Sequence, residues 1–260
     1  MPQLEPLGQF DLWKVSRANR SGVQQVRAVS AYVTGIDQLP GRRRESFPEI
    51  TDEKFWEFYH IASPFSLLHV SGFYNIYQSL QYIQRNQLQG DFVECGCFLG
   101  GAGIFMALVR DHLGISERTI WLLDTFDGFP DGEQDCQIVD NKPMDAMRLD
   151  NFRADVEDNF VHCLSHCHHL RFVEGAVEDT LPRLDVRVVS LLRLDTDFYS
   201  STKAELEHLY RKLARGGVLI VDDYGIFRGS RRATDEYLAC LPAPPLLNRI
   251  DCGVWAGVKP

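Results

Sequence analysis

Two strand-like apolar runs each end directly in carboxylates, Leu191-Leu192-Arg193-Leu194 before Asp195-Thr196-Asp197 and Val218-Leu219-Ile220-Val221 before Asp222-Asp223. Further strand candidates lie at 91–95, 119–123 and 170–173, and the runs themselves cover 188–194 and 218–221. Most are separated by helical stretches long enough for right-handed crossovers, which implies an α/β chain built on a parallel, doubly wound sheet. If the two acid-tipped runs are parallel neighbours, their carboxylates converge at the edge where open α/β sheets place ligands.

The last two strand candidates, 246–250 and 253–258, are joined only by Asp251 and Cys252 and predict an antiparallel hairpin at one sheet edge. Five parallel strands closed by such a hairpin form the class I methyltransferase layout, Rossmann-like, more than the dehydrogenase one. Upstream, Phe73, Ile76, Tyr77, Leu80 and Ile83 recur at helical spacing over 72–86, with Gly90 as a stop. Residues 1–70 read as a helical or irregular extension with an aromatic cluster at Phe55, Trp56, Phe58 and Tyr59, suited to packing, a subunit contact or acceptor binding. Residues 71–260 form the main domain. The stretch 129–150 lacks periodicity and reads as a lid.

A formal charge of −9 opposes a nucleic-acid partner, which needs concentrated Lys and Arg. Arg42-Arg43-Arg44 reads as a solvated loop. No apolar run approaches the ~20 residues of a membrane span, and the N-terminus lacks signal-peptide character, so the expected location is cytoplasmic, without membrane contact. The seven cysteines then read as free thiols.

The turn Glu94-Cys95-Gly96-Cys97-Phe98-Leu99-Gly100-Gly101 follows a strand and opens a helix, so backbone can approach a ligand closely. A pyrophosphate favours bare amides and positive potential. Glu94 instead puts a carboxylate at the strand end, which suits an ammonium such as the amino-acid end of S-adenosylmethionine. Asp124, closing the second strand, is placed to accept from a ribose, whether of this cofactor or of NAD. The candidate cofactor-binding residues are Glu94, Gly96, Gly100, Gly101, Asp124, Phe126, Gly175 and Ala176.

Asp195, Asp222 and Asp223, on adjoining strand tips, would repel one another unless a cation sat among them. Oxygen-only ligands suit Mg²⁺. A hydroxyl bound to such an ion becomes more acidic, and Asp197, two residues beyond Asp195, points to the same side if strand geometry persists. It is the candidate catalytic base; the alternative is a helix-capping role beside Thr202-Lys203-Ala204-Glu205, which has the form of a capping box.

These segments resemble the macrocin O-methyltransferase family over roughly residues 72–227. The resemblance rests on Gly90-Asp91-Phe92-Val93-Glu94-Cys95-Gly96, Asp124-Thr125-Phe126-Asp127-Gly128-Phe129-Pro130, Asp179-Thr180-Leu181-Pro182, Leu194-Asp195-Thr196-Asp197-Phe198-Tyr199-Ser200-Ser201-Thr202 and Val221-Asp222-Asp223-Tyr224. It implies Mg²⁺- and S-adenosylmethionine-dependent methylation of a sugar hydroxyl in a secondary metabolite by a homo-oligomer. Asp195, Asp222 and Asp223 match the metal ligands, Asp197 the base, and Glu94, Gly96 and Asp124 the cofactor positions. An NAD-dependent oxidoreductase and an inactive nucleoside-binding subunit are the alternatives. The cluster His162-Cys163-Leu164-Ser165-His166-Cys167-His168-His169 has no second ligand group and reads as a helix end, not a zinc site.

Overall fold

The computed structural model describes residues 44–128, 138 and 153–260. Five parallel strands, β1 (Asp91–Cys95), β2 (Ile120–Asp124), β3 (Leu170–Glu174), β4 (Val189–Leu194) and β5 (Leu213–Val221), pair with an antiparallel edge of β6 (Asn248–Arg249) and β7 (Trp255–Val258). Their order is β3-β2-β1-β4-β5-β7-β6, the expected α/β sheet with its closing hairpin. Every residue of β4 is buried, as a central strand covered on both faces must be.

Among the described residues the α-helices are α1 (Glu53–Ala62), α2 (Val70–Arg85), α3 (Gly101–His112), α4 (Arg153–Cys163), α5 (Val177–Thr180), α6 (Tyr199–Leu209) and α7 (Arg228–Ala239). One face of the sheet is covered by α1 to α4 and the other by α5 to α7, each with its own apolar cluster. The predicted helix at 72–86 begins two residues earlier, because the His69 ring nitrogen accepts the Ser71 amide and caps α2.

The aromatics of α1 face inward. Phe55 is fully buried and meets Tyr74, Tyr77 and Phe105 edge to face at 5.3–5.8 Å, contacts contributing about 1 kcal/mol each beyond area burial. Asp52 caps α1 by accepting the Lys54 amide and also accepts the Tyr77 hydroxyl at 2.6 Å. This cluster is packing within the chain, so of the roles considered for it the first is the one the structure displays.

The hairpin differs in length from the expectation. The Asp251 carboxylate accepts the amides of Gly253 and Val254, both at 2.8 Å. That side-chain-built turn takes residues from both predicted strands and leaves β6 two residues long. The expected lid, 129–150, lies outside the described residues except for Ile138, whose amide donates to the Ile226 carbonyl at 2.7 Å. Among the described residues no helix is long and apolar enough to cross a membrane.

The anticipated capping box is absent. Helix α6 starts at Tyr199 with Phe198 as an N-cap lacking a side-chain bond. Thr202 and Glu205 therefore lie inside the helix, and both are buried.

Candidate active site

The strand order reverses between β1 and β4, and the connections from their ends depart toward α3 and α6. A crevice at the carboxyl edge is the geometric result. A cavity of about 590 Å³ occupies it, lined by Glu94, Gly96, Asp124, Gly175 and Ala176 and by Asp195, Asp197, Asp222 and Asp223.

Register brings the acids together. Cys95 pairs with Leu194, and Leu194 with Val221. The Asp195 amide then donates to Cys95 at 2.8 Å and the Asp222 amide to Leu194 at 2.9 Å, continuing the ladder past the strand ends. Gly96 makes this approach possible. With φ +82° it crosses so close to β4 that a Cβ would stand 1.9 Å from the Asp195 carbonyl oxygen.

Asp195, Asp222 and Asp223 each offer an oxygen, the three within 4.8 Å of one another. Contrary to the expectation from sequence, they do not stand uncompensated within the chain. The buried guanidinium of Arg193 reaches up from β4, donating from Nη1 to Glu94 Oε1 at 2.6 Å and from Nη2 to Asp222 Oδ1 at 2.6 Å. Its Nη1 also pairs with Asp195 Oδ2 at 2.7 Å. Glu94 thus faces an arginine from its own chain as well as the crevice. Its second oxygen is buried without a hydrogen-bond partner among the described residues.

The cluster is electrostatically loaded all the same. Glu94, Asp195, Asp222 and Asp223 carry four negative charges when ionised against one guanidinium, a formal excess of three. Burial, and after it the neighbouring Asp222 and Asp223, push the Asp195 carboxyl well above the usual range, against the opposing pull of Arg193. Burial, with Asp197 and Asp222 beside it, does the same to Asp223. Glu94 is raised to about 7, chiefly by burial and against the pull of Arg193. A hard divalent cation fits this donor set: all three candidate ligands are carboxylates, and Arg193 engages only one oxygen each of Asp195 and Asp222 and makes no bond to Asp223.

Asp197 reaches the cavity by a route other than strand alternation. β4 ends at Leu194, and Asp197 takes a left-handed φ of +68° in the following loop. Its amide donates to Asp223 Oδ2 at 3.3 Å, which holds the candidate base beside the metal-type acids. Below it, the Thr196 hydroxyl donates to Glu205 Oε1 at 2.8 Å. Glu205 is fully buried, its carboxyl raised to about 8 by burial despite that bond.

Several of the expected cofactor residues have other partners in the structure. Asp124 already accepts the amides of Phe126 at 2.8 Å, Cys97 at 2.7 Å and Phe98 at 3.3 Å. With about four acceptor sites on a carboxylate, at most one remains for a ribose. Gly100 and Gly101 serve packing: a Cβ on Gly100 would meet Phe160, and one on Gly101 would strike Ser66, Phe65 and Ala62, where α3 abuts α1. Phe126 is buried near Phe172 and does not line the cavity. Sequence reading also passed over Arg193 and read Glu205 as a cap. The signal for Arg193 was available, since a lone charge in an otherwise apolar central strand needs buried partners.

Residues 66–257 match the macrocin-O-methyltransferase (TylF) family. The chain belongs to that family. It is accordingly an O-methyltransferase, and the nicotinamide alternative is not favoured. A demethyldecarbamoylnovobiocin O-methyltransferase from Streptomyces niveus is 35% identical over 195 residues, 73% of this chain and 74% of that one. The mycinamicin III 3''-O-methyltransferase of Micromonospora griseorubida is 32% identical over 168 residues, 63% of this chain and 66% of its own length. An enzyme from Streptomyces olivaceus, 8-demethyl-8-(2,3-dimethoxy-alpha-L-rhamnosyl)-tetracenomycin-C 4'-O-methyltransferase, is 34% identical over 171 residues, 63% of each chain. Among solved structures, the O-methyltransferase NovP superposes with a TM-score of 0.70 at 27% identity, covering 91% of this chain and 96% of NovP.

Proposed function

We propose that the protein transfers a methyl group from S-adenosylmethionine to a hydroxyl of a sugar borne by a natural product, with Mg²⁺ as the metal. The observation that carries this reading is the convergence of Asp195, Asp222, Asp223 and Asp197 on one cavity that also holds Glu94. The rhamnosyl acceptor in the name of the Streptomyces olivaceus relative supports a glycosylated substrate.

S-adenosylmethionine, when bound, supplies an electrophilic methyl, and Mg²⁺ held by Asp195, Asp222 and Asp223 would acidify the acceptor hydroxyl. The chain's own residues supply the rest. Glu94, which lines the crevice, attracts the cofactor's ammonium. Asp197 accepts the hydroxyl proton on its carboxylate, and the Asp223 bond to its amide fixes that carboxylate in place. Ala176 and Gly175 line the same cavity. Most of the rate then comes from holding donor and acceptor in line.

The test is a panel of glycosylated metabolites incubated with methyl-labelled cofactor. Label in a sugar hydroxyl, lost on chelation and restored by Mg²⁺, is the expected result. Full turnover in chelator would remove the metal from the proposal, and no transfer to any glycoside would leave the acceptor class wrong. A cytoplasmic homo-oligomer belongs to the same proposal; a monomer in sedimentation analysis would contradict its assembly.

A further inference from the structure

Arg193 is the feature of the crevice that the reaction just described does not use. Its guanidinium is 3% exposed and touches acids on three strands or strand tips: Glu94 of β1, Asp195 beyond β4 and Asp222 beyond β5. A guanidinium is planar and holds its N–H donors in fixed directions, so such a group sets angles between its partners and not merely their distances. Glu94 belongs to the cofactor side of the crevice and the two aspartates to the metal side. One side chain therefore spans both halves of the site.

We infer that Arg193 is a positioning residue that assembles the cofactor-side acid and the metal-side acids in advance, so that the crevice holds its shape before any cation arrives. Without it, four buried or half-buried carboxylates would face one another with no internal counter-charge, and the strand tips could close only with a cation present. Arg193 thereby makes folding and cofactor binding independent of the metal while leaving the second oxygens of Asp195 and Asp222, and the Asp223 oxygen that does not accept the Asp197 amide, for coordination. This rests on the reading of those aspartates as metal ligands given above.

Four features of the structure agree with that division. The guanidinium uses a single oxygen on each partner. Its Nε is buried with no hydrogen-bond partner among the described residues, so its polar contacts run through the two Nη atoms. Asp223, which Arg193 does not bond, is held separately through the Asp197 amide. Gly96 lets the β1 loop meet the Asp195 carbonyl, so Glu94 and Asp195 can share one nitrogen.

The experiment compares wild type with Arg193→Met and Arg193→Lys by thermal melting in chelator and in saturating Mg²⁺, and by calorimetric titration of S-adenosylhomocysteine under both conditions. In chelator, Arg193→Met should melt roughly 10 °C below wild type, the cost of stranding buried partners of a lost charge. Mg²⁺ should restore half or more of that gap, while it moves wild type by only a few degrees. Arg193→Lys keeps the charge without the fork, so it should fold in either buffer and bind S-adenosylhomocysteine at least tenfold more weakly in chelator, a deficit that shrinks with Mg²⁺. A loss in either variant that Mg²⁺ leaves untouched would reduce Arg193 to ordinary packing and overturn the inference. So would variants indistinguishable from wild type in chelator. A direct Mg²⁺ titration of wild type separates the two levels: no binding heat there refutes the metal reading itself, whereas clear binding with Mg²⁺-insensitive variants refutes only the role of Arg193.

Discussion

Replacing Glu205 by Gln should make the protein more stable at alkaline pH and leave it nearly unchanged at mildly acidic pH. Glu205 lies wholly inside α6 packing with one oxygen bonded to Thr196 and the buried Cys95 thiol as a further neighbour. Burial raises its carboxyl from 4.5 to about 8. Below pH 4.5 the group is protonated in both folded and unfolded chains. Between 4.5 and about 8 the unfolded chain releases the proton and the folded one keeps it, so the unfolded state binds fewer protons and stability falls as pH rises. At 1.36 kcal/mol per unit the span corresponds to a ceiling of about 5 kcal/mol by pH 8. Above the folded value the slope vanishes. Gln has the shape of the neutral acid, can accept from Thr196 Oγ1 and does not titrate, so it escapes the whole decline. For a chain of this length each kcal/mol moves the midpoint by about 2–4 °C. The variant should therefore melt close to wild type at pH 5 and on the order of 10 °C higher at pH 8. Paired melting curves across pH 5 to 8.5 check this, and taking the difference cancels other titrating groups such as Glu94. A gap that stays flat with pH, or a variant several kcal/mol less stable throughout, would show that Glu205 is ionised and paired in the folded protein, and the reasoning would be refuted.

Asp197→Asn should retain S-adenosylhomocysteine binding and lose methyl transfer by roughly 100-fold or more, the usual worth of a positioned base; unimpaired turnover would remove Asp197 from that role. Asp223→Asn removes the one metal-type acid that Arg193 does not touch, so Mg²⁺ binding heat should disappear while S-adenosylhomocysteine still binds, a split that calorimetry resolves. Gly96→Ala forces a Cβ to 1.9 Å from the Asp195 carbonyl at a φ of +82° and should cost roughly 4 kcal/mol or more in denaturant unfolding; a near-neutral variant would mean β1 and β4 are not this close. Tyr77→Phe deletes the 2.6 Å bond to Asp52 at the start of α1 and should cost about 1 kcal/mol with kcat unchanged; a change in kcat would show that α1 bears on catalysis.

Much of this architecture was readable from residue order because local pattern carries it. β1 was placed residue for residue, and β2, β3 and β4 within a residue at each end, since short apolar runs between helical stretches have few other fates. β5 runs five residues further back than expected, to Leu213, because Arg215, Gly216 and Gly217 hid its start behind polar and turn-like composition. The hairpin was foreseen but not its turn, which Asp251 builds with a side chain that serves equally well in a strand tip or a loop. Helix α6 was given the wrong start for a similar reason: Thr202 and Glu205 have capping chemistry, yet burial put both to other uses.

By itself the sequence determined that carboxylates would stand at the carboxyl ends of two strands, because the acids follow their strands directly, and that those ends share one sheet edge if the strands run parallel. It also determined that a glycine would stand at Gly96. Only tertiary structure decided how those charges are balanced. Arg193 against three acids, Asp124 filled by three amides, Gly100 and Gly101 set against Phe160 and Ala62, and Glu205 sealed beneath Thr196 are all matters of which groups meet across strands and layers. Burial and pairing energies depend on those long-range distances, whereas the periodicities legible in a chain record only which face a residue occupies.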